Sequence, residues 1–198
     1  MDFAKAFDTV PHRRLNYKLH HYGIRGQLLS WIEQFLANRK QRVCVNDNYS
    51  SWKPVTSGIP QGSVLGPTLF VIYINDLPLN LKSGCFMFAD DTKIFHQITT
   101  SDDSRELQED LDTLQKWSNN WLLLFNSSKC KILRLGNTLS DNNYTLNSVE
   151  LELVEKFNDL GVIDKDLKFQ AGADWPMWQS GGCHGPNHSG GPMQGAKK

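Results

Sequence analysis

Two adjacent carboxylates set the tightest constraint on this chain. Asp90 and Asp91 stand together in FMFADDTKIF, with apolar residues on both sides. Taking either charge out of water is costly unless a cation or hydrogen-bond donors accompany it. The pattern therefore demands a turn. We expect a short strand from residue 86, a tight turn at Ala89-Asp90-Asp91, and a second strand ending near residue 96. Turns are ordinary homes for Asp, so the pair alone assigns no chemistry. Asp2, in the apolar stretch MDFAKAFDTV, changes the weighting. If its segment lies beside the hairpin, three carboxylates meet. Such a cluster repels itself unless it holds hard cations, and oxygen ligands of this kind suit Mg²⁺. Two Mg²⁺ ions about 3.5–4 Å apart are a known device for in-line attack at phosphorus.

Between these acids runs SGIPQGSVLGP, residues 57–67, dense in Gly and Pro and therefore loop-like. Gly62 permits close approach of another group, and Gln61 offers donors and an acceptor without charge. Residues 11–38 read as mostly helical, interrupted at Gly23 and Gly26, with Leu28, Trp31, Ile32, Phe35 and Leu36 as an apolar stripe. Residues 41–56 read as a hairpin turning at Asn46-Asp47-Asn48. Residues 68–77 are apolar throughout, and periodicity leaves helix and strand both open. Residues 103–121 form the clearest helix. Asp103-Ser104-Arg105-Glu106 fits its capping box, and Leu107, Leu111, Leu114 and Trp121 share a face. Lys131 to Leu135 and Phe157 to Ile163 read as strands. Helices and strands mix without regular alternation, so the expected class is α+β.

Charge is unevenly spread. The 198 residues carry 21 Lys and Arg against 21 Asp and Glu, a net charge of zero. Yet residues 13–53 hold eight bases and two acids, and residues 101–120 hold six acids and two bases. Two solvated faces would explain this, and so would a phosphate-facing surface opposite a solvent-facing one. A composition of 39% hydrophobic and 21% charged residues excludes a wholly disordered chain. No apolar run reaches the ~18–20 residues of a membrane span, and no signal peptide is visible. Cys44, Cys85, Cys130 and Cys183 form no CxxC pair, which points to a reducing, intracellular compartment. The segment 170–198, with seven Gly and three Pro, is expected to be disordered. Its Cys183, His184 and His188 make only a weak metal signature.

Taken in order, MDFAKAFDTV, SGIPQGSVLGPTLF, FADDTK, FNSSKCKIL and KFNDLGVID resemble the five palm motifs of non-LTR (LINE-like, jockey-related) retrotransposon reverse transcriptases. The resemblance covers residues 1–169. It implies a polymerase palm, an antiparallel sheet backed by helices, and RNA-directed DNA polymerase activity on RNA template, DNA primer and dNTP. It makes Asp2 and Asp90 the principal ligands of two Mg²⁺ ions, or Mn²⁺, with Asp91 in support and the Phe3 carbonyl as a further ligand. Phe7 resembles the steric gate that excludes a ribose 2′-hydroxyl. Gln61 and Gly62 resemble residues lining the nucleotide pocket, and Lys129 the lysine that protonates leaving pyrophosphate. Phe157, Leu160 and Gly161 fall in a segment resembling the primer grip. Work in nucleus or cytoplasm, away from membranes, follows from the same resemblance.

The sequence also departs from that family. No fingers region precedes Asp2, and the Gly-rich segment stands where a thumb is expected. The isolated chain is therefore expected to show little polymerase activity. The alternative is a catalytically inactive, truncated relic that retains at most weak nucleic-acid binding.

Overall fold

An extended segment, residues 1–4, is gripped along both edges. On one edge Met1 exchanges two hydrogen bonds with Thr92. Its nitrogen donates to the Thr92 carbonyl at 2.5 Å, and the Thr92 N–H donates to the Met1 carbonyl at 3.2 Å. On the other edge the Ala4 N–H donates to the Leu124 carbonyl at 2.7 Å, and the Asn126 N–H to the Asp2 carbonyl at 2.8 Å. These bonds make an antiparallel bridge between Phe3 and Phe125, whose rings stack at 4.5 Å. The computed structural model describes residues 1–136, 142–159 and 162–164.

The helices are α1 (Ala6–Thr9), α2 (His12–His21), α3 (Gly26–Leu36), α4 (Leu65–Ile74) and α5 (Ser101–Trp121). Leu15 and Leu19 of α2 and Ile32 and Leu36 of α3 are buried. Two members of the expected α3 stripe, Leu28 and Trp31, are instead exposed. The apolar run resolves as helix. Gly66, Leu69, Phe70, Tyr73 and Ile74 of α4 form one buried face at helical spacing, while Pro67, Thr68 and Val71 are exposed. The sequence hides this face because the open side carries an apolar residue, Val71, too. Phe3 meets Phe70 edge to face at 6.4 Å, which ties the extended segment to this helix.

The cap of α5 lies three residues before the expected box. Thr100 is the N-cap and Asp103 the third helical residue, and each side chain bonds the other's backbone N–H. Asp103 also accepts from the Thr99 hydroxyl and N–H, and these bonds hold its carboxyl well below the usual range. The acidic helix is not wholly a solvent face. Buried Asp110 accepts from the N–H groups of Lys82 and Ser83 at 3.0 and 2.7 Å, which fixes the entry to the carboxylate hairpin.

Among the described residues the named strands pair two by two in short ladders. β1 (Lys40–Gln41) pairs β4 (Lys53–Pro54), and β2 (Cys44–Val45) pairs β3 (Asn48–Tyr49). β5 (Gly84–Phe88) pairs β6 (Asp91–Phe95). β7 (Lys131–Leu133) runs parallel to β10 (Glu152–Val154), while β8 (Thr145–Leu146) and β9 (Val149–Glu150) form a hairpin. β11 (Phe157–Asp159) and β12 (Val162–Asp164) form another, so the single strand expected there is a hairpin. Mixed helices and small sheets make an α+β fold. No helix among the described residues is long and apolar enough to cross a membrane.

The basic segment is divided as well. Lys18 is only 3% exposed. Its ammonium lies 2.5 Å from Asp76 Oδ1 and 3.8 Å above the Trp121 ring. Burial, opposed by Asp76, lowers its pKa from 10.5 to about 8. The unfolded chain thus keeps a proton that the folded chain has released. Between these two values stability rises with pH on account of Lys18. Burial raises the Tyr73 hydroxyl's pKa, an opposing contribution that begins near pH 10. Urea unfolding from pH 7.5 to 9.5 tests this. The stability of wild type relative to Lys18→Met should climb across that window, and parallel curves would refute it.

Candidate active site

Asp2 sits at the centre of the gripped segment. Because Met1 faces Thr92 in an antiparallel pair, Asp2 falls beside Asp91 in register. Successive carbonyls of an extended chain point to opposite edges. The Asp2 carbonyl bonds Asn126, so the Phe3 carbonyl faces the edge of the Asp90-Asp91 hairpin. The turn there has two residues, Ala89 and Asp90, and Asp91 opens β6, one residue earlier than expected. Ala89 adopts φ 51°, a left-handed conformation disfavoured for an L side chain. Asp90 is half-buried and Asp91 exposed.

The Asp2 carboxylate is 29% exposed, and Lys129 Nζ lies 3.1 Å from its Oδ2. A turn carries that lysine into place, with the Lys129 and Cys130 N–H groups both donating to the Asn126 carbonyl. Cys130 is buried behind Asp2, and burial pushes its thiol pKa up. The backbone thus brings together Asp2, Asp91 and Lys129. Among the described residues, however, no three His, Cys, Asp or Glu side chains are grouped closely enough to hold a metal ion. The Lys129 ammonium supplies positive charge at Asp2 in this arrangement. The donors available are hard oxygens, the class that fits a hard divalent cation.

The Gly-rich loop locks onto α1. Gly58 N–H donates to the Val10 carbonyl at 2.8 Å and Ile59 N–H to the Phe7 carbonyl at 2.7 Å. The Ser57 hydroxyl donates to the Asp8 carbonyl at 2.9 Å. Gly58 has φ 85°, and a Cβ there would stand 2.6 Å from the Asp8 carbonyl oxygen. Gln61, carried at the exposed end of this loop, donates from Nε2 to Asp8 Oδ1 at 3.1 Å. Asp8 is a site neighbour that the sequence pattern does not single out, although it is the one other acid in MDFAKAFDTV. Gly62 has φ 77° with open space where a side chain would stand. Phe7 is half-buried, its ring stacked on Phe70 at 4.6 Å. Phe157 lies on β11, while Leu160, Gly161 and residues 170–198 lie outside the described residues.

A family model described as "Reverse transcriptase (RNA-dependent DNA polymerase)" matches residues 1–164. The chain belongs to the reverse transcriptase family. It is 34% identical over 181 residues to the RNA-directed DNA polymerase from mobile element jockey of Drosophila funebris, covering 86% of this chain and 20% of that protein. Against the jockey polymerase of Drosophila melanogaster the identity is 33% over 183 residues, 85% of this chain and again 20% of the relative. A probable RNA-directed DNA polymerase from transposon BS of Drosophila melanogaster is 31% identical over 144 residues, 65% of this chain and 15% of that protein. The chain thus spans about one-fifth of the length of the jockey relatives. The reverse transcriptase match ends at β12, the last described strand.

Proposed function

We propose that residues 1–169 are the palm of an RNA-directed DNA polymerase that joins dNTPs to a primer 3′-hydroxyl on an RNA template, with residues 170–198 a separate segment. The observation that carries this reading is the Met1–Thr92 backbone pairing. It sets Asp2 beside Asp91 on a segment whose continuation, Phe7 to Val10, anchors the Gln61 loop. Asp2, Asp90, Asp91 and the Phe3 carbonyl would hold the divalent ions. Bound there, two Mg²⁺ or Mn²⁺ ions supply charge neutralisation at the phosphates and acidify the attacking hydroxyl.

The chain's own residues do the rest. Phe7, braced by Phe70, limits the space available to the sugar 2′ position. Gln61, oriented by Asp8, and Gly62, with no side chain, line the nucleotide. The Lys129 ammonium, 3.1 Å from Asp2 Oδ2, would donate a proton to the leaving pyrophosphate. The β11–β12 hairpin supports the primer end. Positioning and charge complementarity then supply most of the rate.

A chimaera tests this reading. Residues 1–164 replace the matching segment of a jockey polymerase, and extension of a DNA primer on RNA with Mg²⁺ is measured. The expected result is templated extension by the chimaera and little by the isolated chain. A folded chimaera that binds template–primer yet adds no nucleotide would overturn the assignment.

A further inference from the structure

We infer that the hairpin spanning residues 39–55 is a docking arm for single-stranded RNA. This rests on the polymerase reading only for the choice of RNA over DNA. Every residue from Lys40 to Pro54 is exposed, so the arm stands clear of the core. Its tip turns through Asn46 and Asp47 at φ 48° and 60°, the two left-handed residues of a type I′ turn.

The register decides what the arm presents. Near the tip Cys44 faces Tyr49, whereas at the base Lys40 faces Pro54 and Gln41 faces Lys53. The two ladders differ by one residue, so Ser51 and Trp52 together oppose Arg42, which is a β-bulge. Opposed residues share a face, and the bulge brings Lys40, Arg42, Tyr49 and Trp52 onto the same one. The Arg42 guanidinium lies 3.9 Å from the Tyr49 ring centroid and 4.6 Å from that of Trp52. Tyr49 and Trp52 remain 57% and 56% exposed. Asp47, at the tip, is the arm's one acid against Arg39, Lys40, Arg42 and Lys53.

Exposed aromatic rings interleaved with cations fit a strand that offers both unpaired bases and phosphates. Four cations to one acid across residues 39–55 favour a polyanionic strand over a protein partner. A duplex hides the base faces on which the rings stack. The base of the arm is wired to the candidate site, since the Val55 N–H donates to the Arg39 carbonyl and Arg39 Nη2 donates to the Gly58 carbonyl at 3.4 Å. A strand held on the arm is therefore held next to the Gln61 loop.

Fluorescence anisotropy of the full chain with a labelled 15-nucleotide RNA, its DNA counterpart and duplex RNA, from 50 to 200 mM KCl, tests this. Trp52→Ala should weaken RNA binding about tenfold, the loss of one stacked base. Lys40→Gln with Arg42→Gln should lower the slope of log affinity against log salt by about 1.4. Both variants should melt with wild type, because no core residue changes. Unaltered affinity and slope, or duplex RNA preferred and indifferent to Trp52→Ala, would overturn the inference. So would a wild-type dimer in sedimentation that Trp52→Ala dissociates while RNA binding stays intact. These results leave the chimaera's primer extension untouched. Loss of extension with RNA binding retained strikes the polymerase reading instead.

Discussion

Asp2→Asn in the chimaera is expected to reduce RNA-templated primer extension by at least about a thousandfold, the rate equivalent of several kcal/mol of transition-state charge stabilisation. The fold should survive. The backbone of residue 2 is held by its carbonyl on Asn126 and by its neighbours' bonds to Thr92 and Leu124, none of which uses the carboxylate. The substitution also frees Lys129, whose ammonium sits 3.1 Å from Asp2 Oδ2. That ion pair is 65% exposed on the lysine side, so its loss is worth less than about 1 kcal/mol. Extension kinetics and thermal unfolding on one preparation separate the two effects. Extension retained within tenfold would remove Asp2 from the catalytic set, and an unfolded variant would show that the ladder needs the carboxylate. Asp90→Asn should behave alike, with a smaller risk to the fold because the residue lies in a turn.

Gly58→Ala should cost the fold far more stability than a single methyl group ordinarily does. The backbone at φ 85° already disfavours an L side chain by about 1–2 kcal/mol, and the new Cβ meets the Asp8 carbonyl oxygen at 2.6 Å. Both sides of that contact are backbone, pinned by Gly58 to Val10 and Ile59 to Phe7 hydrogen bonds, so no side chain can swing away. Overpacking adds about 1–3 kcal/mol, and the sum centres near 3–4 kcal/mol. For a chain of this size that is a melting temperature lowered by about 6–16 °C. Gly23→Ala supplies the control, since Gly23 has φ 88° with nothing near its Cβ position. It should cost only the backbone part. Equal losses for the two variants would mean that the loop does not press on α1.

What the sequence makes legible follows the range of the forces involved. The carboxylate hairpin, the Asn46-Asp47 turn and the apolar face of α5 are written in local patterns, and the structure has all three. The α5 cap reads three residues late in the sequence because Asp103 can serve equally as an N-cap or as the acid that answers one. The bonds from Thr99 and Thr100 decide for the second role. Distant pairings leave weaker traces. The parallel union of β7 with β10 joins two three-residue strands, too short for alternation to identify a partner. The Gln61–Asp8 contact spans 53 positions, and nothing local at either end announces it. In sequence Lys18 is one more cation in a basic stretch. Only the meeting of Asp76, Trp117 and Trp121 reveals it as a core residue.

The segment at residues 1–4 is the middle strip of its ladder, although it carries the lowest numbers in the chain. Its two flanks, Thr92 and residues 124–126, come roughly 90 and 120 positions later. Pairings of such separation carry a heavy loop-closure cost and form slowly. During synthesis, when folding follows the order of emergence, the Asp2 segment waits for its first flank until β6 is available and for its second until α5 is complete. The carboxylate site is thus among the last parts of the fold to close, and a ribosome that stalls before Phe125 releases a helical scaffold whose centre is held along one edge at most.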